Sequence, residues 1–208
     1  MTPGLRSVVG GPDTGDPRKD REGPSPPGSG VLGMWVFLAS LAILFIASIA
    51  GYLVVRFRAA EWPPPGMPRL PGGLILATLV LIGCSVAVHL ALGAIRKGSP
   101  TAMTRWLFVT FGLGVLFLAM QAWNWWGLIT AQFGPDTKNL YAFTFYMLTG
   151  LHAAHVVGGL VQLGWVIVKA MLGKYGSGWH PGVLYSAMYW HFLDAVWIVM
   201  FLVMFVFA

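Results

Sequence analysis

The sequence predicts an all-α integral membrane protein, a bundle of five transmembrane helices. Hydrophobic residues make up 57% of the 208 residues, only 10% are charged and the mean hydropathy is +0.72, which is too apolar for a soluble domain of this length. A helix needs about 20 apolar residues to cross a hydrocarbon layer of roughly 30 Å. Five runs are long enough, hold no Lys, Arg or Glu, and share a single Asp; they are residues 31–55, 70–95, 106–135, 139–168 and 175–208.

The segment before the first run has a different composition. Residues 1–30 are rich in Gly, Pro, Ser and charged groups and contain almost no large apolar side chains. Such a segment cannot bury enough surface to offset the entropy lost on ordering. We therefore predict two regions: a disordered cytoplasmic tail, residues 1–30, and the five-helix bundle, residues 31–208.

Lys and Arg residues lie mainly at the ends of the runs. They are not gathered on one face, so the net charge of +6 does not indicate a nucleic-acid partner, and the positive-inside rule explains it better. Nine of them lie on the side of the N-terminus: Arg6, Arg18, Lys19, Arg21, Arg96, Lys97, Arg105, Lys169 and Lys174. The other side has four: Arg56, Arg58, Arg69 and Lys138. This imbalance predicts the N-terminus inside and the C-terminus outside.

Small residues recur at helical spacing in two of the runs. Gly83 lies in the second run, and Gly150, Ala154 and Gly158 follow one another at intervals of four in the fourth. Small side chains on one helical face let two backbones approach closely in a membrane. We predict helix packing at these positions.

The last run contains Asp194, the one acidic residue inside a run. A helix over about residues 183–207 would place it near mid-membrane, where an unpaired carboxylate is costly. His191 lies one turn earlier on the same helical face and is the nearest candidate partner. Two interpretations remain open: a proton-relay group or ligand, and a buried hydrogen-bond network that determines helix packing.

Two histidines of the fourth run, His152 and His155, also share one face. A closed metal site needs about four ligands, and His191, Asp194, His89 and His180 could complete one. Membrane enzymes that bind two irons through histidine boxes need about eight histidines, more than the five present. We therefore expect neither a metal site nor a catalytic residue in this chain, and assign His152, His155, His191 and Asp194 to a structural polar network.

Neutral polar groups inside the runs complete the set of candidates. Gln121 and Asn124 are three residues apart in the third run, Gln162 lies in the fourth and His89 in the second. Side chains of this kind form hydrogen bonds between membrane helices. We predict that Gln121, Asn124 and His89 are interhelical or lipid-facing.

Two of the segments already described resemble the signatures of one family. Residues 189–197, YWHFLDAVW, resemble YWHFxDxVW, and residues 149–159, TGLHAAHVVGG, resemble TGxHxxHVxxG, both typical of subunit III of the haem-copper terminal oxidases. That family includes cytochrome c oxidases and ubiquinol oxidases. A weaker match is residues 34–40, MWVFLAS, together with Phe117 and Gln121. The resemblance covers residues 33–208.

The resemblance implies a particular role. Some members have seven helices, and a shorter bacterial form without the first two would have five and an internal N-terminus. The family's subunit III holds no haem or copper, since those belong to partner subunits. It packs against catalytic subunit I, and through it subunit II, and stabilises subunit I by supporting the durability of its active site. It also binds phospholipid and supports proton uptake. The resemblance thus implies a non-catalytic subunit of an oxygen-reducing, proton-translocating respiratory complex in the bacterial inner membrane.

Three positions depart from the family pattern. Leu41, Asn124 and Leu184 stand where family members often carry intramembrane acids. These changes leave open a companion of nitric oxide reductase or of ubiquinol oxidase, and the electron donor remains open between cytochrome c and quinol. A hypothesis of another class is a free-standing transporter or metalloenzyme that uses Asp194 with the histidines of the last two runs.

Overall fold

The computed structural model describes residues 29–62, 72–135, 140–178 and 180–206. These residues form five α-helices: α1 Ser29–Arg58, α2 Gly73–Arg96, α3 Pro100–Thr130, α4 Leu140–Met171 and α5 Pro181–Val206. All five are long and apolar enough to cross a membrane, which confirms the predicted all-α architecture. The first helix begins at Ser29, and residues 1–28 of the predicted tail lie outside the described residues.

The helix ends follow from local residues. Pro100 and Pro181 begin α3 and α5, at a position where the missing N–H costs nothing. Beyond the ends of α2 and α4, Gly98 and Gly173 adopt φ angles of 75° and 69°, the left-handed conformation that glycine adopts without strain. Gln132 takes the same conformation, with φ 67°, after α3. This turn ends α3 at Thr130, before the predicted boundary at residue 135.

The helices form a ring of four with a fifth helix outside it. In the ring, α2 packs on α3, α3 on α4, α4 on α5, and α5 returns to α2. The first helix packs on α4 and α5, so it contacts the last two helices of the chain. This arrangement brings residues from opposite ends of the sequence together.

One narrow stripe attaches α1 to the bundle. Its buried residues are Leu38, Phe45 and Tyr52, which are seven positions apart and therefore lie on one side of the helix. Large apolar side chains such as Ile43 and Ile46 are about two thirds exposed on its other sides, at 69% and 65%. Since lipid tails solvate such groups, this surface is suited to the interior of a membrane.

The ring is filled by aromatic side chains that reach glycines on neighbouring helices. Trp190 of α5 is fully buried, and a Cβ at Gly114 of α3 would lie 2.8 Å from its ring. A Cβ at Gly159 of α4 would lie 2.8 Å from the ring of Tyr189. Gly114 and Gly159 are therefore positions where only glycine fits.

The closest approaches between helices do not occur at the small residues for which helix packing was predicted. Ala154 and Gly158 are exposed, and Cβ atoms at Gly150 and Gly158 would each have their nearest neighbour at 3.9 Å. A Cβ at Gly83 would meet Leu113 at 3.6 Å, an ordinary contact. Within this chain these positions therefore lie away from the closest helix contacts, and their role in helix packing stays a prediction.

Candidate functional site

A row of polar side chains follows the contact between α2 and α5. The indole Nε1 of Trp197 donates to Thr78 Oγ1 at 2.9 Å, and Ser85 Oγ lies 2.6 Å from His191 Nδ1. The rings of His191 and His89 have their centroids 5.9 Å apart. We call this row the polar seam; its members are Thr78, Ser85, His89, His191, Asp194 and Trp197.

Asp194 lies at the middle of α5 and is only 4% exposed. The Ser85 hydroxyl lies beside its carboxyl, yet neither carboxylate oxygen has a hydrogen bond of normal geometry to the described residues. The predicted pairing of Asp194 with His191 is not formed. The serine of the facing helix α2 reaches the imidazole instead, with Ser85 Oγ 2.6 Å from His191 Nδ1.

The histidines of α4 lie against aromatic rings of neighbouring helices. His152 is fully buried, with its ring centroid 5.0 Å from that of Trp197, 5.7 Å from Phe117 and 6.3 Å from Phe45. Neither ring nitrogen of His152 has a hydrogen-bond partner among the described residues. The imidazole therefore acts here as a packing group.

His155 shares the α4 face of His152, as its spacing predicted. Its centroid lies 5.1 Å from that of Phe45, so a single aromatic side chain of α1 covers both imidazoles. The Nδ1 atom lies 2.8 Å from the carbonyl oxygen of Leu151 in its own helix. Both histidines thus help to attach α1 to the ring.

The neutral polar residues differ from one another in burial and in hydrogen bonding. Gln162 accepts a hydrogen bond from the Ser186 hydroxyl of α5 at 3.0 Å, so it joins two helices as predicted. Gln121 is buried, and neither its oxygen nor its nitrogen has a partner among the described residues. The Asn124 amide is buried against Gly73 at the start of α2, and His89 is exposed at one edge of the polar seam.

Ser85, Thr78 and Phe45 were not among the residues predicted from the sequence. Thr78, Ser85 and His89 occur at intervals of seven and four, which places them on one face of a helix. That spacing could have identified the α2 side of the polar seam. For Phe45 there was no comparable indication in the sequence, because an aromatic residue in an apolar run is compatible with either a lipid-facing or a buried position.

The candidate metal ligands are divided among separate places. His152 and His155 face Phe45, His89 and His191 face each other, and His180 lies before α5 with Nδ1 3.2 Å from the carbonyl oxygen of Gly176. In the part of the chain that the structure describes, no three His, Cys, Asp or Glu side chains lie close enough to share a metal ion. The single cysteine, Cys84, is buried and donates to the carbonyl oxygen of Thr110 at 3.4 Å.

The fold and these contacts define a multi-pass α-helical membrane protein in which the described histidines take part in packing and hydrogen bonding. The family model for cytochrome c oxidase subunit III matches residues 29–208. The chain belongs to that family, the subunit III family of the haem-copper oxidases.

Individual relatives agree with this assignment. The chain is 34% identical over 177 residues to cytochrome c oxidase subunit 3 of Thermostichus vulcanus, which covers 85% of this chain and 86% of the relative. It is 34% identical over 180 residues to cytochrome c oxidase subunit 3 of a Synechocystis species, and this match covers 84% of this chain and 74% of the relative. A probable cytochrome c oxidase subunit 3 of Nocardia farcinica is 29% identical over 171 residues, and this match covers 82% of this chain and 84% of the relative.

Proposed function

We propose that this chain is a non-catalytic subunit of a terminal oxidase of the cytochrome c oxidase type, located in the bacterial inner membrane. It packs against the catalytic subunit I, which with subunit II holds the haem and copper, and it prolongs the working life of that subunit. It also binds phospholipid and supports proton uptake by the complex. The match to the subunit III family over residues 29–208 supports the assignment to an oxidase.

The contacts of the signature histidines are the observation that supports a non-catalytic role. His152 is packed among three aromatic rings, His155 lies against a carbonyl of its own helix, and His191 lies against Ser85. Each of these contacts occupies an imidazole face or a ring nitrogen in helix packing. A scaffold that presents a rigid surface to a partner needs this kind of packing.

The exposed side of α1 supports a role in binding lipid or a partner. Trp35, Val36 and Ile46 are all at least 60% exposed on this helix, and only the stripe of Leu38, Phe45 and Tyr52 is buried within the chain. Such a surface gains contacts when it meets acyl chains or another helix.

Purification in a gentle detergent tests the assignment. An affinity-tagged copy of the full chain should retain a partner with haem absorption and with copper in a constant ratio to the chain. A purified chain without haem or copper partners, under conditions that keep other respiratory complexes intact, would refute the proposal. The retained complex is then assayed with oxygen or nitric oxide, and with reduced cytochrome c or quinol, which separates the companion subunits of different reductases.

A deletion strain tests the supporting role. Without this chain, the oxidase should still turn over at first but lose activity sooner during sustained turnover, and restoring the chain should restore its lifetime. An oxidase whose activity decays at the same rate with and without the chain would contradict that role.

A further inference from the structure

One imidazole lies on the outside of the bundle at a depth where lipid tails are expected. His89 of α2 is exposed and lies seven residues before Arg96, the last residue of the helix, about 10 Å along its axis at 1.5 Å per residue. The 24 residues of α2 span about 36 Å, so a centred helix extends about 3 Å beyond each side of a hydrocarbon layer of roughly 30 Å. His89 is therefore about 7 Å inside that layer.

The neighbours of His89 on the outer side of α2 are apolar. Val86 and Leu90 are 54% and 40% exposed. Among the described residues at this depth, His89 is the one exposed side chain with an ionisable group. The exposed Ser40 of α1, by comparison, donates its hydroxyl proton to the carbonyl oxygen of Val36 in its own helix at 3.0 Å.

The imidazole of His89 has no comparable partner within the chain. Its ring centroid lies 5.9 Å from that of His191, and neither ring nitrogen of His89 has a hydrogen bond to a described residue. A neutral imidazole carries one N–H donor and one acceptor, and leaving both unsatisfied in hydrocarbon is costly. Because ionisable side chains inside a membrane almost always face protein or water, the outward position of His89 indicates that another protein covers this surface.

The charges near His89 indicate the chemistry of that protein. Arg96 and Lys97 are exposed and lie two turns beyond His89 on the same side of α2. The two acidic residues among those described are directed elsewhere: Asp194 of α5 is 4% exposed, and Glu61 follows α1 at the opposite end of α2. A surface with cationic and imidazole groups and no acidic group is complementary to a partner that carries a carboxyl group.

We propose that the outer surface of α2 around His89 is an interface with a transmembrane helix of a partner subunit, and that a carboxyl side chain of that helix forms a hydrogen bond with the His89 imidazole. The inference rests on the proposed function as a subunit of an oxidase complex, and it adds which surface of this chain meets the partner. The two groups fit each other, since a ring N–H donates to a carboxylate oxygen and a carboxyl O–H donates to a ring nitrogen.

Phospholipid is a poorer occupant of this surface than a helix. Acyl chains offer neither a donor nor an acceptor, and the polar headgroups lie outside the hydrocarbon layer, about 7 Å from the depth of His89. A membrane helix satisfies its own backbone groups and can present one polar side chain at this depth. Its apolar residues would pack against Val86 and Leu90.

Site-specific photocrosslinking in the membrane tests the interface. A photoreactive phenylalanine derivative in place of Val86, one turn from His89, should form an adduct with a membrane helix of the co-purifying complex. The matched control is the same replacement of Val161 on α4, which is also a valine ten residues before the end of its helix and is 61% exposed. The control should react mainly with lipid.

The adducts also separate this inference from the proposed function. A partner yield at Val86 no higher than at Val161, in a preparation that retains the haem- and copper-containing subunits, would overturn the interface and leave the proposed function standing. A chain that retains no such subunits would refute both. Mass spectrometry of the adduct should find Asp or Glu within about one turn of the crosslinked residue, and a partner helix without an acidic residue would overturn the pairing.

Substitution of His89 tests the polar contact itself. His89→Leu should lower the retention of the partner in detergent about threefold or more, the effect of losing one hydrogen bond between membrane helices. His89→Gln keeps a donor and an acceptor, so it should retain the partner better than His89→Leu does. Equal retention by the Leu variant and the original chain would overturn the pairing of His89 with the partner.

Discussion

Glycine residues decide how closely the aromatic core can pack in this bundle. Gly114 lies under the ring of Trp190, and a Cβ there would come within 2.8 Å of that ring and 2.9 Å of Leu160. Trp190 is fully buried, so its ring cannot move aside into open space. A methyl group at this position must therefore push α3 and α5 apart or distort a side chain.

Gly114→Ala should lower the stability of the detergent-solubilised chain by about 1–3 kcal/mol, the usual cost of overpacking a filled core. The apparent midpoint of thermal unfolding, followed by circular dichroism, measures the change. Gly112→Ala is the matched control on the same helix, because a Cβ there would have no neighbour within 4 Å. The control should be neutral or slightly more stable, since alanine favours helix over glycine by roughly 1 kcal/mol. Equal midpoints for the two variants would contradict the close approach.

At the scale of helices, α1 differs from the other four in how it is held. It packs on α4 and α5 without joining the ring, and its buried stripe is centred on Phe45, which is 2% exposed. Phe45 contacts His152, His155 and Phe192. One side chain thus joins the first helix to both helices that carry the family signatures.

Phe45→Ala should loosen α1 selectively, because it removes the aromatic contacts of both histidines and leaves a cavity worth about 3–5 kcal/mol. Protease accessibility of the segment between α1 and α2, in detergent, measures the loosening. Ile46→Ala is the neighbouring control, since Ile46 is 65% exposed and should leave cleavage unchanged. If both variants are cleaved like the original chain, Phe45 does not hold α1 in place.

For the whole molecule, an odd number of crossings puts the two ends of the bundle on opposite sides of the membrane. The five helices and the bias of nine Lys and Arg residues against four together predict an internal N-terminus. This orientation also places His89 of the polar seam in the cytoplasmic half of α2, because His89 lies toward the end with Arg96 and Lys97.

Reporter fusions in a bacterial host test the orientation. Alkaline phosphatase fused after Ala208 should be active, because it folds only outside the cytoplasm, whereas a fusion in the α2–α3 connection at Gly98 should be inactive. The Gly98 fusion is the internal control, since the positive charges beside it should keep it inside. An inactive C-terminal fusion together with an active Gly98 fusion would reverse the assigned orientation.

The sequence by itself determined the number of helices, the membrane setting and the family. Crossing a hydrocarbon layer requires about 20 apolar residues in a row, and that requirement can be read from one segment at a time. The two signatures, residues 149–159 and 189–197, likewise lie within single helices. The side-chain positions along each helix, including the midpoint location of Asp194, followed from the same local geometry.

Only the tertiary structure decided which faces meet. The partner of His191 is Ser85 of α2, not Asp194 of its own helix, and the close approaches occur at Gly114 and Gly159 instead of along the ridge of Gly150. These helices are apolar on most sides, so apart from the polar positions of α2 no contrast between polar and apolar faces marks the buried one. Which faces meet depends on shape complementarity between helices far apart in sequence. The polar seam, whose members come from α2 and α5, therefore forms only when these two helices pack together.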